Sequence, residues 1–405
     1  MLKTGILVLN AGSSSLKFAV FAADCTEDGS ALFRGQIAGI GENAVFDAWI
    51  RSGDGDREKT STPLTEIDGH QEAIAHALGW IERHADDLRL IGVGHRVVHG
   101  GPHRRDPALV TAVLLDELDA LSPLAPHHQP HNLAAIRAVA EVAPNLPQVA
   151  CFDTAFHASQ SRVARLLPLP RPLRDQGLQR YGFHGLSYEF IRSATPAYND
   201  GQLPRRLIVA HLGNGASLCA IQDGESLATS MGFSTLDGLL MGTRSGGIDP
   251  GVLLHLMREQ GMDEAALSNL LYNQSGLLGV SGISADMRVL LGSAEPAAAE
   301  AVELFCFTLV RAIGSMAAAL GGVDALVFTG GIGEHAAPIR QRVCERLAWI
   351  GVDLDTDANT AGLTEITRPD SRVKVWVIPT NEELVITRHT LKLVEGLASA
   401  SGVRD

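Results

Sequence analysis

Basic charge is scarce in this chain: 33 Lys and Arg stand against 46 Asp and Glu, a net charge of −13 over 405 residues. A nucleic-acid backbone is bound by clustered Lys and Arg, so no such partner is expected, although an acidic protein can still hold anions at a locally basic cleft. Cysteine is also scarce. The five residues Cys25, Cys151, Cys219, Cys306 and Cys344 are odd in number and scattered, without a CxxC pair. That argues against a disulfide framework or structural zinc, and for a reduced, cytoplasmic protein. No run of about 18 uncharged apolar residues occurs, and the amino terminus lacks the basic and apolar regions of a signal peptide. No membrane association is therefore expected. Walker A, GxGxxG after a strand, GxSxG and HExxH are missing as well.

What is present is a globular composition, 45% hydrophobic and 20% charged, long enough for two or three domains with real cores. The chain opens as a meander, with strands expected over residues 5–9, 15–21 and 31–40. A helix is expected over 71–85, a strand over 90–94, a second helix ending near 142, and a buried strand over 148–152. A Pro-rich stretch, 168–172, reads as a linker. A second meander follows, with strands over 207–212 and 216–221 and an Asp223-Gly224 hairpin turn of type I′. A long helix over 297–320 starts at Pro296, strands follow at 325–328 and 374–378, and Asn381-Glu382-Glu383 opens a terminal helix. Val8-Leu9-Asn10-Ala11-Gly12-Ser13-Ser14-Ser15-Leu16 and Ala210-His211-Leu212-Gly213-Asn214-Gly215-Ala216-Ser217-Leu218 share one pattern about 200 residues apart. An internal duplication is expected, one meander opening each half.

Three Gly/Ser turns remain as candidate chemistry: residues 10–15, 211–217 and 329–334. Backbone N–H groups in such turns form anion nests, and glycine allows close approach. A plain hairpin explains any one of them; three together, two of them duplicated, point to phosphate.

Here the residues resemble the acetate kinase family. The blocks are Asn10-Ala11-Gly12-Ser13-Ser14-Ser15-Leu16-Lys17, His95-Arg96-Val97-Val98-His99-Gly100-Gly101, Phe152-Asp153-Thr154-Ala155-Phe156-His157, Tyr181-Gly182-Phe183-His184-Gly185, His211-Leu212-Gly213-Asn214-Gly215, Met241-Gly242-Thr243-Arg244-Ser245-Gly246, Thr329-Gly330-Gly331-Ile332-Gly333-Glu334 and Pro379-Thr380-Asn381-Glu382-Glu383-Leu384. They run in family order along the whole chain. The resemblance implies an α/β, duplicated two-domain actin-like ATPase fold: mixed sheets flanked by helices, with the active site in the interdomain cleft. We expect residues 1–152 with a C-terminal helix at 385–405 to form the first domain, and 153–384 the nucleotide-binding domain. The implied reaction is reversible, direct in-line phosphoryl transfer from ATP to acetate. Propionate or butyrate kinase is the alternative within the family, and a nucleotide-dependent scaffold or chaperone the alternative outside it. Mg²⁺, for which Mn²⁺ can substitute, and a homodimer are implied too.

Phosphoryl transfer needs positive charge around the moving group and an in-line nucleophile. Arg96 and Arg244 resemble the arginines that clamp substrate and transition state, and His184 the histidine that hydrogen-bonds the phosphoryl group. His128 resembles a further active-site histidine. Asp153 resembles the catalytic aspartate. A carboxylate acceptor with a pKa near about 4–5 is already ionised at pH 7, so Asp153 is expected to position Arg96 rather than to take a proton. Val98, Phe183 and Thr235 are expected at the substrate, beside Arg96. Asn10 and Glu382 match the magnesium positions. Lys17, His211, Leu212, Gly213, Asn214, Gly215, Asp286, Met287, Arg288, Gly330, Gly331, Ile332, Gly333 and Glu334 match the nucleotide positions. His127, Thr235 and Gly247 depart from the family pattern, the first two toward a wetter acyl pocket and the third in how Arg244 is held. His127 and His131 have a metal-ligand spacing, a reading we rank well below the family one.

Overall fold

Long apolar runs set the central strands of two mixed sheets. In β1 (Lys3–Ala11) every residue from Gly5 to Leu9 is buried, the pattern of a strand covered on both faces. The computed structural model describes residues 3–24, 29–52, 56–65, 67–85, 87–102 and 104–400; Cys25 and residues 401–405 of the expected terminal helix lie outside them. Within these residues the chain divides into two compact units, Met1–Ala155 with Asn381–Asp405, and Phe156–Thr380.

In the first unit β1 is followed by β2 (Ser15–Ala22), β3 (Phe33–Ala38), β4 (Val45–Ser52), β5 (Asp56–Pro63), β6 (Leu88–Val97), β7 (Ala108–Leu109) and β8 (Gln148–Phe152). Their order across the sheet is β5-β4-β3-β2-β1-β6-β8-β7. β1 lies antiparallel to β2 and parallel to β6. Strands β4 and β5 extend the expected meander. The Asp-Arg-Glu-Lys-Thr-Ser-Thr sequence of β5 has no apolar alternation, so its pairing rests on tertiary context. The helix His70–His84 seats Trp80 against Phe18 and Phe46. The terminal helix Glu382–Ala400 packs on β1, β6 and β8. Asn381 caps it, its Oδ1 accepting from Leu384 N–H at 3.0 Å. A Cβ on Gly94 of β6 would lie 2.4 Å from Ile386 and Thr390 side chains; the glycine lets the helix sit on the strand.

The second unit repeats the plan. β9 (Arg206–Leu212), β10 (Ala216–Gln222), β11 (Glu225–Thr229), β12 (Ala325–Thr329) and β13 (Lys374–Val377) stand in the order β11-β10-β9-β12-β13. β9 is antiparallel to β10 and parallel to β12, as β1 is to β2 and β6. The order β3-β2-β1-β6-β8 thus recurs as β11-β10-β9-β12-β13, and the duplication legible in the two meanders is present in the sheets. Asp223 and Gly224 both have positive φ, as a type I′ turn requires. The helix Pro296–Leu320 is long and apolar enough to span a membrane by length and composition, but it packs along β9–β11 with Phe305, Leu309 and Ile313 buried.

Two expectations are corrected. The Pro-rich stretch 168–172 lies inside the second unit and runs into a short helix, Arg171–Asp175, with proline at its start, where the missing N–H costs nothing. Residues 329–334 are no hairpin turn: β12 passes at once into the helix Gly330–His335. Gly330 makes the bend at φ +76, and a Cβ there would meet the Leu212 backbone at 2.9 Å.

Candidate active site

In the first unit, the carboxyl ends of β6 and β8 bring Arg96 to Asp153. Arg96 Nε and Nη2 donate to Asp153 Oδ1 and Oδ2 at 3.1 and 2.6 Å. Asp153 is 1% exposed. Glu382 Oε2 stands 3.7 Å from Arg96 Nε. Burial opposes the guanidinium charge, but Asp153 and Glu382 outweigh it and raise the Arg96 pKa. Neighbouring Glu383 faces elsewhere, toward Arg34 Nη2 at 3.2 Å; burial raises its pKa against the pull of Arg34. Asn10, next to last in β1, lies directly across from Lys17 on β2, and such cross-strand partners share a face of the sheet. Val98 is buried, its N–H donated to Asn132 Oδ1 at 3.0 Å. His128 stands at the start of the helix Gln129–Val142, and His127 beside it is exposed. Among the described residues no group of three or more His, Cys, Asp or Glu could hold a metal, so the His127–His131 spacing gains no third ligand.

In the second unit, His184 adopts a left-handed backbone, φ 58, a conformation costly for a non-glycine residue and common at functional sites. Its ring stacks on His211 at 4.3 Å, and its Nδ1 pairs with Ser217 Oγ at 2.8 Å. A Cβ on Gly215 would lie 3.4 Å from His184 Nε2 and 3.8 Å from Arg244 Nη1, so the turn after β9 borders both groups. Arg244 Nη1 donates to the Thr235 carbonyl at 3.0 Å. Thr235 therefore holds Arg244 through its backbone, whatever its hydroxyl does. Gly247 donates to the Gly238 carbonyl, and a Cβ on it would meet Asp237 Oδ1 at 3.6 Å. A carboxylate at 247 would face Asp237; glycine avoids the like-charge contact. Phe183 is buried.

A cavity of about 530 Å³ in this unit is lined by Gly213, Asn214, Asp286, Met287, Arg288, Gly331 and Ile332, together with Ala285, Leu291, His335, Ala336 and Pro338. Seven expected nucleotide residues from three distant blocks meet there. Asp286 caps the helix Met287–Gly292, and Arg288, bonded to its carboxylate, holds the Asp286 pKa down to about 2. Gly330, Gly333, Leu212 and Glu334 do not line the cavity. Glu334 Oε1 instead accepts from Gly330 N–H at 2.9 Å and Thr380 N–H at 3.4 Å, clasping the ends of β12 and β13. Nor do His211 and Gly215, which belong with His184, or Lys17, which is in the first unit. A larger cavity in the first unit, about 650 Å³ beside Leu78, Ile81, Leu88 and Leu146, has Glu82 as its one charged lining residue among the described residues and gathers no candidate chemistry.

The sequence pattern of the Acetokinase family matches residues 5–388. The chain belongs to the acetokinase family. Among its relatives, the acetate kinase of Rhodopseudomonas palustris (strain ATCC BAA-98 / CGA009) is 52% identical over 399 residues, 96% of this chain and 98% of that one. The acetate kinase of Methylocella silvestris is 46% identical over 404 residues, 98% of this chain and 99% of that one. In solved structures, the acetate kinase of Porphyromonas gingivalis is similar at a TM-score of 0.87 and 34% identity, covering 96% of this chain and 100% of that one. A propionate kinase from Francisella tularensis subsp. tularensis SCHU S4 is similar at 0.88 and 35%, covering 96% and 99%. This acetokinase is thus an enzyme on the duplicated actin-like ATPase fold.

Sequence reading missed the cavity walls Ala285, Leu291, His335, Ala336 and Pro338, whose residue types carry no phosphate or base signal. It also missed Asn132 and Gln129, which bind backbone and so leave no motif.

Proposed function

We propose that this acetokinase transfers the γ-phosphoryl group of ATP directly to acetate, in line and reversibly, giving acetyl phosphate and ADP. One observation carries the reading. The carboxylate that resembles a kinase base, Asp153, gives both oxygens to Arg96, so it orients a cation. An acceptor that is already an anion needs no base. Arg96 then holds the acetate carboxylate, with Val98, Phe183 and Thr235 at the acyl group. Arg244, His184 and His128 stabilise charge on the transferring group, a preorganised electrostatic role. The cavity at Gly213, Asp286–Arg288 and Ile332 takes the adenosine, and Lys17 the phosphates.

Mg²⁺, or Mn²⁺ in its place, would be held by Asn10 and Glu382. Oxygen donors suit a hard cation that keeps waters and leans on substrate phosphates rather than on a protein cage. When bound, the ion neutralises phosphate charge.

The proposal includes a homodimer. Leu304, Phe307, Arg311 and Gly314 share one face of the helix Pro296–Leu320. Phe307 is 51% and Trp349 68% exposed, an apolar surface that suits a second copy. A reducing, cytoplasmic setting fits the buried, unbridged thiols of Cys151, Cys219, Cys306 and Cys344. A propionate kinase is the second reading, favoured by the Francisella structure.

Hydroxylamine trapping with ATP, with and without acetate, tests the function. Acetyl hydroxamate formed only with acetate is the expected result; ATP hydrolysis indifferent to acetate would reject it in favour of a scaffold or chaperone ATPase.

A further inference from the structure

Backbone pairing between the parallel strands β1 and β6 stops at Leu9 and His95. The two chain segments that follow carry Asn10 and Arg96, and no ladder bond joins them beyond that point. The carboxamide of Asn132, on the first turn of the helix Gln129–Val142, stands in the gap. Its Oδ1 accepts from Val98 N–H at 3.0 Å, and its Nδ2 donates to the Ala11 carbonyl at 2.9 Å. Asn132 is 3% exposed. Three residues earlier on the same helix, buried Gln129 grips the next peptide: Oε1 accepts from His99 N–H at 3.2 Å and Nε2 donates to His99 O at 3.0 Å. The Asn132 amide thus bridges, in place of backbone, two segments that have begun to part, and Gln129 ties the peptide after Val98 to the same helix.

We propose that Asn132 is a positioning residue for phosphoryl transfer: its carboxamide locks the turn carrying Asn10 to the loop carrying Arg96 and Val98. The inference rests on the function proposed above and adds a residue to it. The lock works only if one side of the amide accepts while the other donates. On the other flank Arg96 is fixed by β8, through pairs ending at Val97 and Phe152 and by Asp153 N–H to Val97 O at 3.1 Å. Loss of Asn132 therefore frees one edge of the loop and leaves the other attached. Misplacing a catalytic group by about 1 Å costs on the order of 10²-fold in rate, and removing a supporting partner typically costs about 10–100-fold.

The test uses Asn132→Ala and the isosteric Asn132→Asp. Both are compared with wild type by hydroxamate assay from pH 6 to 8.5, with ADP binding and circular dichroism as checks on fold. Asn132→Ala should lose about 10–100-fold in kcat, while ADP affinity, for which the adenosine cavity of the second unit is the proposed main site, stays within twofold. In the Asn132→Asp variant an ionised carboxylate can accept from Val98 N–H but cannot donate to Ala11; protonated, it can do both. Asn132→Asp should therefore match the alanine variant at pH 8.5 and recover relative to wild type as pH falls, whereas the Asn132→Ala ratio stays flat. An Asn132→Ala enzyme within threefold of wild type overturns the proposal, as does an Asn132→Asp enzyme that tracks the alanine variant at every pH. Failure of the function itself shows separately, as a wild-type enzyme that makes no acyl phosphate.

Discussion

Arg96 and Asp153 face each other from neighbouring parallel strands, two nitrogens on two oxygens at 3.1 and 2.6 Å. With Asp153 1% exposed, the pair is structural as well as chemical. Arg96→Ala leaves a buried carboxylate without its guanidinium, a change that typically costs about 3–5 kcal/mol. Arg96→Ala should therefore lower Tm by several degrees as well as kcat by about 10²–10³. Asp153→Asn should keep most of the Tm and lose most of the activity. An alanine variant with wild-type Tm would show that the pair does not hold the fold.

Arg244 tests the other unit. Its guanidinium is bonded to the Thr235 carbonyl and borders Gly215 beside His184. Arg244→Ala should cost about 10²–10³ in kcat and lower Tm less than Arg96→Ala, which strands a carboxylate that is 1% exposed. Arg244→Lys should recover only part, an ammonium lacking the planar fork. Activity within threefold of wild type in the alanine variant would remove Arg244 from the site.

The Glu382–Glu383 pair separates by partner. Glu382 stands with Arg96 and Glu383 with Arg34. Titrating Mg²⁺ at saturating ATP and acetate, Glu382→Ala should raise the requirement at least tenfold, and more than it raises the KM for acetate. Glu383→Ala should leave the Mg²⁺ requirement near wild type. A shift in Glu383→Ala alone would place the metal contact one residue on.

Acid stability follows from two buried histidines. Burial pushes His95 and His99 down from 6.5 to about 4, His95 despite its bond to Gln148. Between those values the unfolded chain binds more protons than the folded one, so stability rises with pH there and is lost as pH falls from 6.5 toward 4. Tm measured across that window should drop steeply, and His95→Asn should flatten the slope. A Tm independent of pH from 6.5 to 4 would contradict the burial of both rings.

The sheets were readable where residues repeat a pattern: the two meanders, the Asp223-Gly224 turn and the apolar strands β9, β10 and β12. Strand β5 was not, because an edge strand of charged and hydroxyl residues has no period to read. Arg96, Asp153, Arg244 and His184 stand in blocks that the sequence displays, and Gly213, Asp286 and Ile332, from three separate blocks, line one cavity. The bent start of the helix at Gly330 was hidden because a glycine turn and a glycine-opened helix look alike in sequence. The bonds of Asn132 and Glu334 to backbone depend on distances of 121 and 46 residues along the chain, beyond any local pattern.

The central claim is transfer to a short carboxylate, and it is tested most directly by kcat/KM for acetate, propionate and butyrate side by side in the hydroxamate assay. On the acyl-pocket assignment proposed above, the polar side chains of His127 and Thr235 replace an apolar wall, and each added methylene should gain less than the usual ~0.8 kcal/mol. Acetate should therefore lead, propionate follow and butyrate be poor. Butyrate equal to acetate would contradict the acyl-pocket assignment, and no acyl phosphate from any of the three would contradict the function.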